Sequence, residues 1–437
     1  MLTNTRVEET QPSVSTVARK PAKIMIVVGA RPNFMKAAPL IASIRAFDQK
    51  RKLQSDAASA EQGIVSHVLV HTGQHYDEAM SGSFFTDLGI PKPDVYLGVG
   101  SGSHAAQTAE IMRKFEEVLL SERPDALIIV GDVNSTVACA LVAAKISFDG
   151  QGTRPLIAHV EAGLRSFDKG MPEEVNRILT DHLSDLLFVT EESGVQNLLH
   201  EGVDQEKIHF VGNTMIDSLM AFLGAADKSP ILTNLGLRQA NDGVSRYALL
   251  TLHRPSNVDQ FETFSDILNG IKELSASMPI IFPVHPRTRK RIVELGLQDY
   301  FAPGENSTAQ SAAAATTPSN RIHLVDPLGY IDFLCMMKHA AMVVTDSGGI
   351  QEETTCLGVP CVTVRENTER PITVTCGTNR IAGTNPREIR KVISEQISRR
   401  NAHQIPALWD GKAAERISAL LLDAVRRRKL ADLKSSR

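Results

Sequence analysis

Short, continuous apolar runs recur along this chain, each separated from the next by a helix-length segment, and that rhythm restricts the fold more than any other feature. A first set comprises "KIMIVVGARP", "SHVLVHTGQH", "DALIIVGDVN", "PLIAHVEAGL", "DLLFVTEE" and "IHFVGNT". A second comprises "RYALLTLHRP", "PIIFPVHPR", "IHLVDPL", "MVVTDSGG", "PCVTVREN" and the weaker "NRIAGT". Strands apolar on both faces belong to parallel sheets covered by helices on each side. Two such sets, dividing between Gly212 and Met220, predict an α/β chain of two Rossmann-like, doubly wound domains. At 437 residues the chain is also too long for one ordinary core. The expected limits are a disordered lead-in over 1–22, domains over 23–212 and 213–390, and C-terminal helices over 391–437. Two stretches rich in Ala, Ser and Thr, 54–63 and 304–320, read as surface insertions.

Composition removes several classes of function. The formal net charge of −3 supplies no global field for nucleic acid. The basic run Arg426–Lys429 ends an amphipathic helix, where cations complement the helix dipole. No apolar run is long enough to span a bilayer, and residues 1–20 lack the apolar stretch of a signal peptide. Five cysteines, an odd number with no C-x-x-C pair, read as buried free thiols of a cytoplasmic protein, with no metal site.

Polar residues gather where the apolar runs stop. Arg31, His71, Asp132 and Glu161 follow strands of the first set; His253, His285, Asp326, Asp346 and Arg365 follow strands of the second. Ligands of open α/β sheets bind beyond the carboxyl ends of the strands, so two facing domains would bring these residues to one cleft. In "VVTDSGGIQEETTCLGVPCVTV" a strand, a tight glycine turn and a helix start form an anion site, because first-turn N–H groups have no intrahelical partner. Ile350 occupies the place where a capping box after Ser347 needs Glu or Gln, so the turn is not only a cap. Glu353, one turn on, suits the vicinal hydroxyls of a ribose. Arg31 and Lys36 around the first strand-to-helix turn suit phosphate, although neither a P-loop nor G-x-G-x-x-G is present. His253 and Arg254 could both meet a diphosphate. The densest polar segment, 158–177, holds Glu161, Arg165, Glu173, Glu174 and Arg177. Glu174 reads first as favourable charge in a helix's first turn, Glu173 as a ligand-facing carboxylate. His104 reads as exposed loop, and His285 is as well explained by a structural role.

"GARPNFMKAAPL", "GDVNST", "HVEAGLRS", "MPEEVNR", "GNTMID", "HR" at 253–254 and "DSGGIQEE" resemble, in order and spacing, the non-hydrolysing UDP-N-acetylglucosamine 2-epimerases, over roughly residues 23–425. The resemblance implies a glycosyltransferase-B type architecture, two domains facing across a cleft, with the C-terminal helix crossing back to the first. It implies reversible conversion of UDP-GlcNAc to UDP-ManNAc by anti elimination of UDP and re-addition through 2-acetamidoglucal, without metal or nicotinamide cofactor. The family's carboxylates fall on Asp132, Glu161 and Glu173 and its histidine on His253. Its nucleotide contacts fall on Arg31, Phe333, Ser347, Gly348, Gly349 and Glu353, and we add Lys36, Arg165, Arg177 and Arg254 as substrate-binding cations. The expected assembly is a homodimer, and the expected role is supply of ManNAc-type sugars for surface polysaccharide.

The chain departs from many bacterial members at "HYDEAM" and "HRPSN". The resemblance therefore does not extend to residues with which some members bind a second, activating UDP-GlcNAc. "HYDEAM" with "GVGSGSH" also resembles the branch acting on UDP-2,3-diacetamido-2,3-dideoxyglucuronate, the alternative substrate. A glycosyltransferase would use the same cradle but needs an acceptor groove, for which no motif is present. A non-catalytic nucleotide-sugar sensor would have no use for the three carboxylates.

Overall fold

The thirteen strands among the described residues run parallel, in two sheets. The computed structural model describes residues 21–54, 65–74, 89–302, 321–398 and 404–435. The first sheet holds β1 (Ala22–Val28), β2 (Val65–His71), β3 (Val95–Tyr96), β4 (Ala126–Val130), β5 (Leu156–Ala162), β6 (Leu186–Val189) and β7 (Ile208–Phe210), in the order 3-2-1-4-5-6-7. The second holds β8 (Ala248–Thr251), β9 (Ile280–Pro283), β10 (Ile322–Val325), β11 (Met342–Thr345), β12 (Cys361–Thr363) and β13 (Asn379–Ile381), in the order 10-9-8-11-12-13. Every run expected to be a strand is one. The sequence reading lacks only β3, an edge strand of two residues. The insertion 304–320, nearly all of 54–63, and "HYDEAM" lie outside the described residues, as does the lead-in up to residue 20.

The order in which strands are added reverses once in each sheet, between β1 and β4 and between β8 and β11. Strand order splits there, and the flanking helices diverge, leaving a crevice at the carboxyl edge. Residues following β1, β4, β8 and β11 therefore meet, which is why the polar strand ends converge. The helix Thr214–Ala226 joins the halves: it packs on the helix Arg31–Gln54 of the first and on the helices Tyr330–His339 and Gly348–Leu357 of the second.

The helix Ala413–Ser435 returns to the first sheet's layer, packing on Arg31–Gln54. Ile417, Leu421 and Val425, spaced by four, are buried in the cluster that contains Ile41 and Ile44. Asp217 accepts from the Ala413 and Ala414 N–H groups at 3.1 and 2.7 Å, satisfying two otherwise unpaired donors at that helix start. The other C-terminal helix, Pro386–Ser398, does not return. It packs on Phe261–Ser277, with Ile389 so close over Gly270 that a Cβ there would lie 2.8 Å away. The boundary expected at 391 thus falls inside a helix of the second layer. Among the cysteines, Cys139, Cys335 and Cys361 are buried, while Cys356 and Cys376 are only partly so. No helix among the described residues is long and apolar enough to cross a membrane.

Leu421, fully buried between the returning helix and the first layer, tests that docking. Leu421→Ala should cost about 2–5 kcal/mol in urea unfolding, the usual range for a buried leucine. A cost no larger than that of an exposed substitution would show that the helix contributes no stability there.

Candidate active site

Both carboxyl edges face one cleft of about 410 Å³. Lys36, Asp132, Glu161, Glu173 and Arg177 line it from the first domain; His253, Arg254, Phe333, Ser347, Gly348, Gly349 and Glu353 line it from the second. Arg31 opens the helix after β1; its side chain lies outside the described residues. Arg165 is corrected. It does not line the cleft but lies buried, 2.7 Å from both Asp181 and Glu201, in an ion-pair network behind β5. His71, His285, Asp326 and Arg365 also stay off the cleft wall. The His71 ring accepts from Gly73, His285 caps the helix Pro286–Glu294, Asp326 pairs with Arg289, and Arg365 with Glu369. His104 opens the helix His104–Glu122 and is exposed.

On the first domain's side the carboxylates are held in three different ways. Glu161, next to last in β5, has φ +75°, rare for a residue with a side chain, where the pairing with β6 slips by one residue. That irregularity lets Glu161 leave the sheet plane, and Lys36 and Arg370 then grip it, Arg370 at 2.9 Å. Asp132 follows Gly131 at the end of β4, and Arg177 Nε donates to it at 3.0 Å. Loss of water would raise the Asp132 pKa, but Arg177, Lys36 and Arg370 outweigh this and hold it below the ordinary value. Glu173 follows Pro172 at the helix start, half-buried, and among the described residues takes part in no ion pair. Its neighbour Glu174 faces inward, accepting from the Ser166 and Phe167 N–H groups and pairing with Arg177.

On the other side Ser347 is the N-cap of Gly348–Leu357, yet its side chain makes no capping hydrogen bond. The hydroxyl and the first-turn N–H groups are thus left to the cleft. A Cβ at Gly348 would lie 2.9 Å from Arg370 Nη1, so only glycine lets that guanidinium press against the helix start. Asp346, fully buried, accepts from His253 Nδ1 at 2.8 Å and from the His253 and Arg254 N–H groups, which fixes the imidazole with Nε2 as its remaining nitrogen. Burial opposes ionisation of Asp346, but these hydrogen bonds prevail and depress its pKa.

Sequence reasoning missed the centre of the site. Arg370, in "RENTERP" after β12, is buried and reaches Glu161 at 2.9 Å, Glu352 at 2.8 Å and Glu369 at 3.0 Å. Arg365 also pairs with Glu369, and the surrounding arginines hold that carboxylate well below its usual range despite burial. Tyr330 donates to Glu353 at 2.8 Å. The signal available was a dense charge run directly after a strand's carboxyl end. Among the described residues no group of three His, Cys, Asp or Glu side chains could hold a metal ion.

Burial pushes the Glu353 pKa up to about 7, with Glu352 adding to the rise and Tyr330 opposing it. The folded protein therefore keeps this proton between the ordinary 4.5 and about 7, where the unfolded chain has released it. Stability from this group is lost as pH rises through that window. Glu353→Gln removes that loss, so its melting temperature relative to wild type should rise between about pH 5 and about pH 8. A difference independent of pH would show that Glu353 is ionised throughout.

Known proteins resemble this chain in sequence and in fold. The family described as UDP-N-acetylglucosamine 2-epimerase matches residues 57–422. The UDP-N-acetylglucosamine 2-epimerase of Methanocaldococcus jannaschii is 39% identical over 404 residues, covering 91% of this chain and 98% of that one. Its crystal structure in complex with UDP-GlcNAc and UDP superposes with a TM-score of 0.76 at 38% identity, covering 91% of this chain and 99% of the other. The UDP-2,3-diacetamido-2,3-dideoxy-D-glucuronate 2-epimerase of Pseudomonas aeruginosa is 38% identical over 364 residues, 83% of this chain and 88% of its own. By the extent of these matches, the chain belongs to the UDP-N-acetylglucosamine 2-epimerase family.

Proposed function

We propose that the protein interconverts UDP-N-acetylglucosamine and UDP-N-acetylmannosamine by elimination and re-addition of UDP. One observation carries the reading: a helix start flanked by Arg254 and Arg370 faces three carboxylates, Asp132, Glu161 and Glu173, across a single cleft. The diphosphate sits at Ser347, Gly348 and Gly349, the ribose hydroxyls donate to Glu353, and Phe333 covers the nucleoside. Lys36 and Arg177 complete the cationic side, and Arg31 is assigned to the nucleotide from its motif alone.

C2 of the sugar has no adjacent carbonyl, so its proton is weakly acidic. The C1–O bond must break ahead of proton loss, with its electron pair leaving on UDP and the ring passing through an oxocarbenium-like state. Oriented N–H groups and guanidinium charge stabilise the leaving diphosphate, and carboxylates stabilise the ring. A carboxylate takes the C2 proton as the C1–C2 double bond forms; re-addition of UDP to C1 and return of a proton to the opposite face of C2 complete the turnover. No net oxidation occurs, so no hydride carrier is required. Electrostatics divide the roles. Glu161, gripped by two cations, and Asp132, held ionised by Arg177, act by charge. Glu173, with no ion pair among the described residues, is assigned the proton transfer, and His253, oriented by Asp346, serves the departing or returning group.

A second substrate is favoured by one observation. Identity to the diacetamido-glucuronate enzyme, 38%, nearly equals the 39% to the archaeal UDP-GlcNAc enzyme. Comparing kcat/KM for the two UDP-sugars decides between them. The reading includes a homodimer, which light scattering on the purified protein checks.

Turnover in D2O should place deuterium at C2 of the product, with free UDP and 2-acetamidoglucal released slowly. Glu173→Gln, Asp132→Asn and Glu161→Gln should each lower turnover, Glu173→Gln by about 10²–10⁴ as expected for a proton-transfer group. UDP affinity should hardly change, since these residues face the sugar. Product retaining its original C2 hydrogen, together with near-normal rates in all three variants, would sink this assignment.

A further inference from the structure

Behind the cleft lies a buried polar cluster that this reaction does not use. His159, on β5, is fully buried, with Nδ1 2.6 Å from Asp181 Oδ1 and Nε2 2.8 Å from the Gly131 carbonyl oxygen. Both neighbours are acceptors. Asp181 Oδ2 already accepts from Arg165 at 2.7 Å and from the Gly163 N–H at 3.1 Å, the buried guanidinium beside it favours the ionised carboxylate, and a backbone carbonyl can only accept. A neutral imidazole carries a single N–H, so either tautomer would set a lone pair against an oxygen. Arg165 shares its one charge between Asp181 and the partly exposed Glu201, so a cation on the other side of the fully buried Asp181 complements that carboxylate.

We propose that His159, protonated on both ring nitrogens, is a positioning residue that fixes Asp132 and Glu161 relative to one another. The inference rests on the role given to those carboxylates above. The ring holds the carbonyl of Gly131, the left-handed residue (φ +70°) directly before Asp132. Its partner Asp181 holds the N–H of Gly163, two residues beyond Glu161, in the turn after the irregular end of β5. One ion pair thus clamps the two turns on which the carboxylates stand. Arg177 grips the Asp132 side chain, and Lys36 and Arg370 that of Glu161, so His159 acts on the backbone beneath them. Arg165 has its use here too, seating Asp181 rather than meeting substrate.

Two measurements on the full-length protein test this. In wild-type protein with 15N-labelled histidine, the His159 ring, identified by coupling across the hydrogen bond to the Gly131 carbonyl, should show a hydrogen on each nitrogen at neutral pH. A ring with one bare nitrogen overturns the proposal. His159→Gln can donate to only one of the two acceptors, so kcat should fall about 10²-fold, the scale of a 1 Å misplacement, with KM and UDP affinity unchanged. An unchanged kcat, or a loss of UDP affinity equal to the loss of kcat, also overturns it. If the variant fails to fold, the wild-type ring signals still decide. Wild-type protein inactive on both UDP-sugars would sink the reaction assigned above; a neutral His159 ring in active protein sinks this inference alone.

Discussion

The guanidinium of Arg370 touches both halves of the site at once. It is buried, belongs to the second domain, and meets Glu161 of the first as well as Glu352 and Glu369 of its own. Removing one partner of a buried pair leaves the other charge without compensation, at about 3–5 kcal/mol. The two edges therefore hold one geometry: Glu161 where Lys36 also reaches it, and the helix start at Gly348 where a side chain would strike the guanidinium. Everything assigned to the cleft presupposes that contact.

Around it the site is graded by how each carboxylate is neutralised. Glu369 and Asp132 are driven toward the charged form by arginines, whereas Glu353 and Glu352 are driven toward the neutral form by loss of water. Groups only ångströms apart thus have opposite protonation preferences. The separation comes from what each helix start and strand end happens to face, not from the residues themselves.

Much of this was readable in advance. Apolar runs fixed by burial on both faces marked twelve of the thirteen strands, and the polar residue that interrupts each run marked Asp132, Glu161 and His253. β3 escaped because two residues carry no periodicity. Arg370 escaped because its meaning is tertiary: its partner Glu161 lies 209 positions away, and a charge run such as "RENTER" reads as a solvated loop until a fold buries it. Arg165 failed for the converse reason. Its motif lies beside cleft residues, but the turn after β5 carries its side chain behind the sheet to Asp181 and Glu201. Burial and direction are set by packing, which spacing along the chain does not encode.

The returning helix Ala413–Ser435 has a consequence for how the protein is made. The first layer's core draws on Ile41 and Ile44 near one end of the chain and on Ile417, Leu421 and Val425 near the other. A ribosome releases the chain in order, so that layer cannot be sealed as soon as its seven strands have emerged. The second domain can be completed first, while the apolar strip on the helix Arg31–Gln54 waits for residues 413–435 to cover it. The earlier domain in sequence is thus sealed after the later one.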